Sequence, residues 1–435
     1  MQRNFSFGSD LPLELVPRNC TTRDYQPIAV PSFDVRGEFI AYASPESTYA
    51  ITRRLIEAAT RSILIGIYDF NAAHMRDLLA SALQRGVKVS LMVDLDNIKG
   101  ENECFQELVQ VGAEGVPAPS CASRHARYFP SCHEKVIVID GEWSLVQSGN
   151  YSNNSLPRNE VDGGEPSNFA RGNRDTGVAI RSAPLAAFFT HLLRSDMQLE
   201  IDGSLEEALE LEVPPGPEIS LEAPLPPSVP PRLFSSRRYR PRKAVRVVPV
   251  ISPENYLQVI PDFLAAARRS IFIEQQYIRG SQVHIRRLLS AIASAWERSP
   301  RLDVRVVLAR PFGSDLSKEF KNLQELETFG LKLGKHIRYL NPRYFTHCHN
   351  KLIVVDRQAV LVSSQNWSNS AVSENREAGL LLHNPTLARY YSDIFLVDWE
   401  TGLKSPVLAG GVELPGGMET AVEMVPVSIG DYVEV

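Results

Sequence analysis

The sequence contains no run of about 18 apolar residues, the length a membrane-crossing helix requires. Its opening segment, Met1 to Pro17, carries charges and a proline and lacks the continuous apolar core of a secretory leader. Cysteine is scarce. The five present (Cys20, Cys104, Cys121, Cys132, Cys348) are odd in number, scattered, and without C-x-x-C or Cys/His zinc spacing. This argues against a disulfide-built scaffold or a zinc module and fits a reducing compartment. A surplus of positive charge is missing too: the formal net charge is −5, so no global field gathers a polyanion. The expected location is the cytoplasm, with or without peripheral contact at a membrane.

What is there looks globular, with 43% hydrophobic and 22% charged residues. A chain of 435 residues exceeds one ordinary domain and reads as two, each able to bury a core. Self-comparison supports that division. Ser44-Pro45-Glu46 recurs as Ser252-Pro253-Glu254, and Ala58 to Ile63 recurs as Ala266 to Ile271, both 208 positions on. Arg127-Tyr128-Phe129 and Cys132-His133-Glu134-Lys135 recur as Arg343-Tyr344-Phe345 and Cys348-His349-Asn350-Lys351, now 216 positions on. An insertion of eight residues in the second half accounts for the change.

Ser44 and Ser252 read as helix N-caps followed by proline at the first helical position and an acid favoured by the helix dipole. The apolar runs Ser62 to Phe70 and Ser270 to Ile278 read as strands, and Ala72 to Gln84 as a helix leading into a strand at Val87 to Val93. The expected fold is α/β: two similar α/β/α-sandwich repeats, each a mostly parallel sheet flanked by helices, packed as a pseudo-dimer. The expected boundaries are a peripheral N-terminal segment 1–32, a first repeat 33–202, a linker 203–245, a second repeat 246–402 and a tail 403–435. The linker is proline-rich from Pro214 to Pro231 and then basic, with seven Arg or Lys residues from Arg232 to Arg246. A solvated charge run and a contact to anionic lipid or nucleic acid are equally good readings of that stretch.

The repeated segments carry the chemistry. His133-x-Lys135 is followed by Asp140, Ser148 and Asn150; His349-x-Lys351 is followed at the same spacing by Asp356, Ser364 and Asn366. In an extended strand, residues two apart share a face, so each imidazole and ammonium can converge on one anion, and Ser148 with Asn150 can present two polar groups beside them. Phosphodiester cleavage needs a nucleophile, a proton donor for the leaving oxygen, and groups to hold the charged phosphoryl oxygens. Two copies of the motif supply all three: one imidazole attacks, the other protonates, and Lys135, Lys351, Asn150 and Asn366 bind the oxygens. An attacking imidazole also needs its other nitrogen held by an acceptor. Asn173-Arg174-Asp175 and Asn375-Arg376-Glu377 offer one carboxylate per half. The motif includes no carboxylate cluster for a divalent ion, so neither metal nor other cofactor is expected. Strand-end Asp140 and Asp356 suit a structural role, such as capping a turn. Tyr128 and Tyr344 fit core or pocket wall, and Cys132 and Cys348 are assigned no chemistry.

These residues resemble the phospholipase D superfamily, whose signature is His-x-Lys-x4-Asp-x6-Gly-Ser-x-Asn. Both copies match except at the glycine, which is Gln147 in one and Ser363 in the other. The resemblance implies a covalent phosphohistidine on His133, with His349 as general acid and base, Asp175 and Glu377 orienting the histidines, and no metal. One site at the interface of the two halves would make the chain active as a monomer. Two motifs in one chain, and the likeness of Glu274-Gln275-Gln276-Tyr277 to a Glu-Asn-Gln-Tyr segment of phospholipases D, favour a phospholipid substrate at a membrane surface. Transfer to an alcohol is a second outcome of the same intermediate. The alternative is a metal-independent nuclease acting on DNA or RNA. The first half also carries 14 extra residues after its motif, including Glu160, Asp162 and Glu165: an ordinary surface insertion, or an acidic loop for a cationic headgroup.

Overall fold

The computed structural model describes residues 20–95, 100–123, 126–158, 172–204, 219–222, 229–311, 316–406 and 424–427. The acidic insertion with Glu160, Asp162 and Glu165, and the opening segment Met1 to Pro17, lie outside the described residues.

Strand sequences such as SILIGI, KVIVI and LIVV show no polar alternation, as expected of strands buried on both faces. Along Lys135–Ile139, Val136 and Val138 enter one core while Ile137 and Ile139 enter another. Two eight-stranded sheets result. The first runs in the order Arg237–Tyr239, Phe39–Ser44, Asp175–Arg181, Trp143–Gln147, Lys135–Ile139, Ser62–Ile67, Lys88–Val93, Glu114–Pro117. The second runs Phe33–Val35, Val245–Ser252, Glu377–His383, Ala359–Ser363, Leu352–Val355, Ser270–Gln275, Asp303–Leu308, Ile337–Tyr339.

The two-repeat α/β expectation holds, but the sheets are mixed and mostly antiparallel. Parallel pairing is confined to Ser62–Ile67 with Lys88–Val93 and Glu114–Pro117, and to their counterparts in the second sheet. In the first sheet these strands are linked by the helices Ala73–Gln84 and Glu101–Gln110, the long crossovers that parallel pairing needs. The motif strand instead turns straight back into Trp143–Gln147. Asp140 and Gly141 sit at φ 54° and 65°, the conformation of a tight Asp-Gly hairpin turn.

The halves are interlaced. Phe33–Val35, expected to open the first repeat, pairs with Val245–Ser252 of the second sheet, and Arg237–Tyr239, from the supposed linker, adds a strand to the first. In that basic stretch Arg238 and Arg240 pair with Glu38, and Arg237, Arg242, Lys243 and Arg246 are exposed. One apolar core runs through both halves, joining Leu185, Phe189 and Val178 to Leu380, Tyr391 and Phe395. At roughly 1.5–3 kcal/mol per large side chain buried, that shared core opposes separation of the halves.

Three further expectations are corrected. Ser44 and Ser252 are not helix caps; each ends a strand, and the helices Thr48–Glu57 and Tyr256–Ala265 start later, after Ser47 and Asn255. Glu46 and Glu254 stand just before those helices and are buried. Cys20 and Cys121, 101 residues apart, form a disulfide, which corrects the reading of the cysteines as scattered and unpaired. No spacing pattern announced that pair. Residues 20–32 are also less peripheral than expected, since the Tyr25 hydroxyl donates to Glu254 at 2.8 Å. Cys132 and Cys348 remain free and buried, and burial pushes both thiols up, which suits inert packing. Among the described residues no helix is long and apolar enough to cross a membrane.

Asp140 and Asp356 take the structural role. The Asp140 carboxylate accepts from the backbone N–H of Thr60, Arg61 and Ser62 at 2.7–2.9 Å, and Asp356 does the same for Arg268, Arg269 and Ser270. Burial works against the Asp140 charge, but those N–H donors hold its carboxyl below the usual range. A carboxyl depressed in the folded state contributes stability above its unfolded pKa and loses it as pH falls through the folded value. Asp140→Asn, which still tolerates the left-handed turn, is therefore expected to cost no more than about 1 kcal/mol at pH 7 by denaturant unfolding, since solvent screens this carboxylate, with the gap to wild type closing in acid. A gap that does not narrow below pH 3 contradicts the assignment.

Candidate active site

Each motif histidine stands just before its strand, which begins at Lys135 in one half and Leu352 in the other. The two imidazoles meet across the interface with ring centroids 6.5 Å apart; His133 is 2% exposed and His349 0%. Both are held by the opposite half. His133 donates its backbone N–H to the Arg376 carbonyl at 2.8 Å, and its Nδ1 lies 3.0 Å from both carboxylate oxygens of Glu377. His349 repeats the arrangement, with its N–H 3.1 Å from the Arg174 carbonyl and Nδ1 2.9 Å from Asp175 Oδ1. The sequence offered one acid per half; the structure crosses them, each acid serving the other half's histidine.

The remaining site residues from the motif divide into two groups. Lys135 and Lys351 are buried beside the histidines, each ammonium donating to its own histidine's carbonyl at 2.7 and 2.9 Å. Asn150 donates to Asp69 at 2.6 Å, and Asn366 is likewise buried. Ser148 and Ser364 do not present hydroxyls to a shared anion as the spacing suggested. Ser148 donates to Asp175 at 2.8 Å, and Ser364 donates to Glu377, so both brace the carboxylates that hold the imidazoles.

The departures from the glycine of the signature are absorbed one strand away. Gln147 lies opposite Gly177 and Ser363 opposite Gly379, where a Cβ on Gly379 would come within 2.6 Å of the Ser363 side chain.

Electrostatics separate the groups. Burial, reinforced by Lys135, Lys351 and His349, holds the His133 imidazole well below its ordinary 6.5, so it is neutral at pH 7. Its Nε2 is buried without a hydrogen-bond partner in the protein. Burial disfavours the Asp175 charge, yet His349, Lys351 and the Ser148 hydroxyl keep its carboxyl below the usual range.

Sequence reasoning missed several residues that shape the site. Tyr68 packs its ring 4.6 Å from that of His133 and 5.2 Å from the Lys135 ammonium. Arg174 and Arg376, between the noted Asn and acid, and Glu46 and Glu254, in the repeated Ser-Pro-Glu, form two buried ion-pair clusters. Their recurrence at matching places was the available signal, and reading the Ser-Pro-Glu segments as caps obscured it.

The family described as cardiolipin synthase, PLD-like domain, matches residues 52–196 and 260–399, one block in each half. The chain belongs to this phospholipase D-like family. Two curated proteins named phospholipase D, from Rickettsia bellii and Rickettsia typhi, are 25% identical over 147 residues and 26% over 128. Those matches cover 34% and 28% of this chain and 63% and 57% of the relatives, so the chain spans less than two thirds of the length of either. A solved phosphatidylserine synthase from Haemophilus influenzae superposes with a TM-score of 0.58 at 15% identity, covering 87% of this chain and 90% of its own. It shares this two-repeat fold.

The neutral state of His133 is open to direct measurement. Imidazole 1H–15N spectra are expected to show it unprotonated on Nε2 at pH 6.5, with its single proton on Nδ1 facing Glu377. An imidazolium signal from His133 at pH 7 contradicts the electrostatic reading.

Proposed function

We propose that the chain is a phospholipase D-type phosphodiesterase that cleaves phospholipid headgroup phosphodiesters through a phosphohistidine, with water or an alcohol as final acceptor. The observation that carries this reading is the pair of imidazoles with ring centroids 6.5 Å apart, each with Nδ1 on a carboxylate of the opposite half.

The neutral His133 attacks phosphorus through Nε2, forming a P–N bond as the P–O bond to the headgroup alcohol breaks. His349 gives its Nε2 proton to the departing alkoxide. Glu377 and Asp175 stabilise the cationic imidazoles that form in turn, and Lys135, Lys351, Asn150 and Asn366 hold the phosphoryl oxygens. Water or an alcohol then attacks phosphorus, losing its proton to His349 and restoring His133. No step calls on a metal, and both halves of the site lie in one chain, so a monomer suffices.

The family and the named relatives support lipid as the substrate class. A nuclease reading draws on the exposed Arg237, Arg242, Lys243 and Arg246, which suit a nucleic-acid backbone. Parallel assays on phospholipid vesicles and single-stranded DNA, both in chelator, decide between them; the expected result is headgroup release without DNA cleavage. Loss of all activity in chelator, restored by a divalent metal, would sink the mechanism.

Adduct mapping tests the roles. With a p-nitrophenyl phosphodiester, whose leaving group needs no proton, alkaline denaturing quench, which spares the P–N bond, and mass analysis are expected to find the remaining phosphoryl ester on His133 in wild type and in His349→Ala. His133→Ala should yield none. Mixing the two single mutants is expected to restore nothing; recovered activity means the site is shared between chains.

A further inference from the structure

The two fully buried arginines at the interface are held by more than stability requires. Arg376 makes a bidentate pair with Asp196 (2.8 and 3.0 Å) and contacts both Glu254 oxygens at 2.8 Å from Nη1. Its Nη2 donates to the Tyr25 hydroxyl at 2.6 Å, and its guanidinium lies 4.3 Å from the Phe129 ring. Arg174 repeats the plan with Asp398 at 2.8 Å, with both Glu46 oxygens at 3.0 and 2.8 Å, and with the Phe345 ring at 4.0 Å. Each arginine is thus clamped by an acid from its own half and an acid from the opposite half's helix, Ala183–Ser204 or Pro385–Thr401. Buried ion pairs of this kind add little net stability over apolar packing, so what they supply is fixed geometry.

What that geometry fixes lies on the same short stretch of backbone. The carbonyl of Arg376 accepts the His133 N–H, and the next residue, Glu377, holds His133 Nδ1. The carbonyl of Arg174 accepts the His349 N–H, and the next residue, Asp175, holds His349 Nδ1. A shift of either arginine moves both points at which the facing imidazole is gripped.

We propose that Glu46 and Glu254 are positioning residues wired across the interface, Glu46 aligning His349 through Arg174 and Glu254 aligning His133 through Arg376. The inference rests on the proposed two-histidine chemistry and assigns each acid a different step. Misaligning the attacking imidazole slows reaction with every leaving group. Misaligning the proton donor slows the first step, formation of the adduct, only where the leaving group needs a proton; its later task as base bears on both esters alike.

The test compares first-turnover release of the leaving group from one p-nitrophenyl and one alkyl phosphodiester on the same preparation of each variant, before His349 is needed as base. The ratio of the two rates cancels any loss of folded protein. Glu46→Gln is expected to slow the alkyl ester at least about tenfold while leaving the p-nitrophenyl ester within about twofold, since small misplacements of a reacting group carry costs of that order. Glu254→Gln is expected to slow both equally and leave the ratio unchanged. Glu46→Asp, which keeps the charge, should restore part of the wild-type ratio. Equal slowing of both esters by Glu46→Gln, or a ratio change from Glu254→Gln in place of Glu46→Gln, overturns the wiring. His349→Ala serves as reference: an unchanged ratio there removes the acid assignment itself, and the inference falls with it. A shifted ratio in His349→Ala but not in Glu46→Gln removes the inference alone.

Discussion

A histidine that offers one nitrogen to a substrate has to be held by everything else about it, and in this chain the holding groups belong to the other half. The Arg376–Glu377 dipeptide grips His133 at its backbone N–H and at Nδ1, and Arg174–Asp175 grips His349 in the same way. Neither half therefore holds its own histidine at these two points. The cross-half bridges Cys132 to Arg376 and Arg174 to Cys348 set the register of this exchange directly beside the chemistry. Exchanged edge strands, a common apolar core and the arginine clusters all keep the interface from sliding. A displacement of one ångström there would act on both imidazoles at once.

The duplicated motif, its spacing, the two-repeat α/β plan and the turn-capping role of Asp140 and Asp356 were legible in the sequence, because each depends on residues near one another in the chain or on exact recurrence. Crossed pairing was not legible. The same two acids and two histidines can pair within or between halves, and only the sheet topology chooses. Strand direction was misread for a similar reason: apolar runs announce burial on both faces but not direction, and the hairpin at Asp140-Gly141 was noticed only as a strand end. Ser44 and Ser252 matched a cap pattern whose local logic was sound, yet the burial of Glu46 and Glu254 overrode it. The Cys20–Cys121 disulfide joins a segment outside either repeat to a loop within one, and no sequence pattern marks such a pair.

Two-fold repetition creates a difficulty for the proposed chemistry, which needs the histidines in opposite protonation states. The motifs are alike, so the difference must come from their surroundings. On the His133 side a tyrosine ring packs against both the imidazole and the Lys135 ammonium; at the equivalent place on the other side stands Gln276, buried, with neither carboxamide atom hydrogen-bonded within the protein. An aromatic wall adds to the burial that favours the neutral imidazole, whereas a carboxamide is a polar neighbour. Behind each histidine a further carboxyl is buried, contributed from different positions: Glu134 beside Gly66 in one half, Glu274 beside Asn350 in the other. A side chain at residue 66 would meet Glu134 Oε1 at 2.9 Å, so only one of the two places can carry the acid. Burial pushes Glu134 up to about 8 and raises Glu274 well above the usual range, so both favour the uncharged form. Ionised, they would repel an anionic phosphodiester and pull protons onto both imidazoles. Uncharged, they leave burial, with the charges of Lys135 and Lys351, to hold His133 in the neutral form that the proposed attack requires.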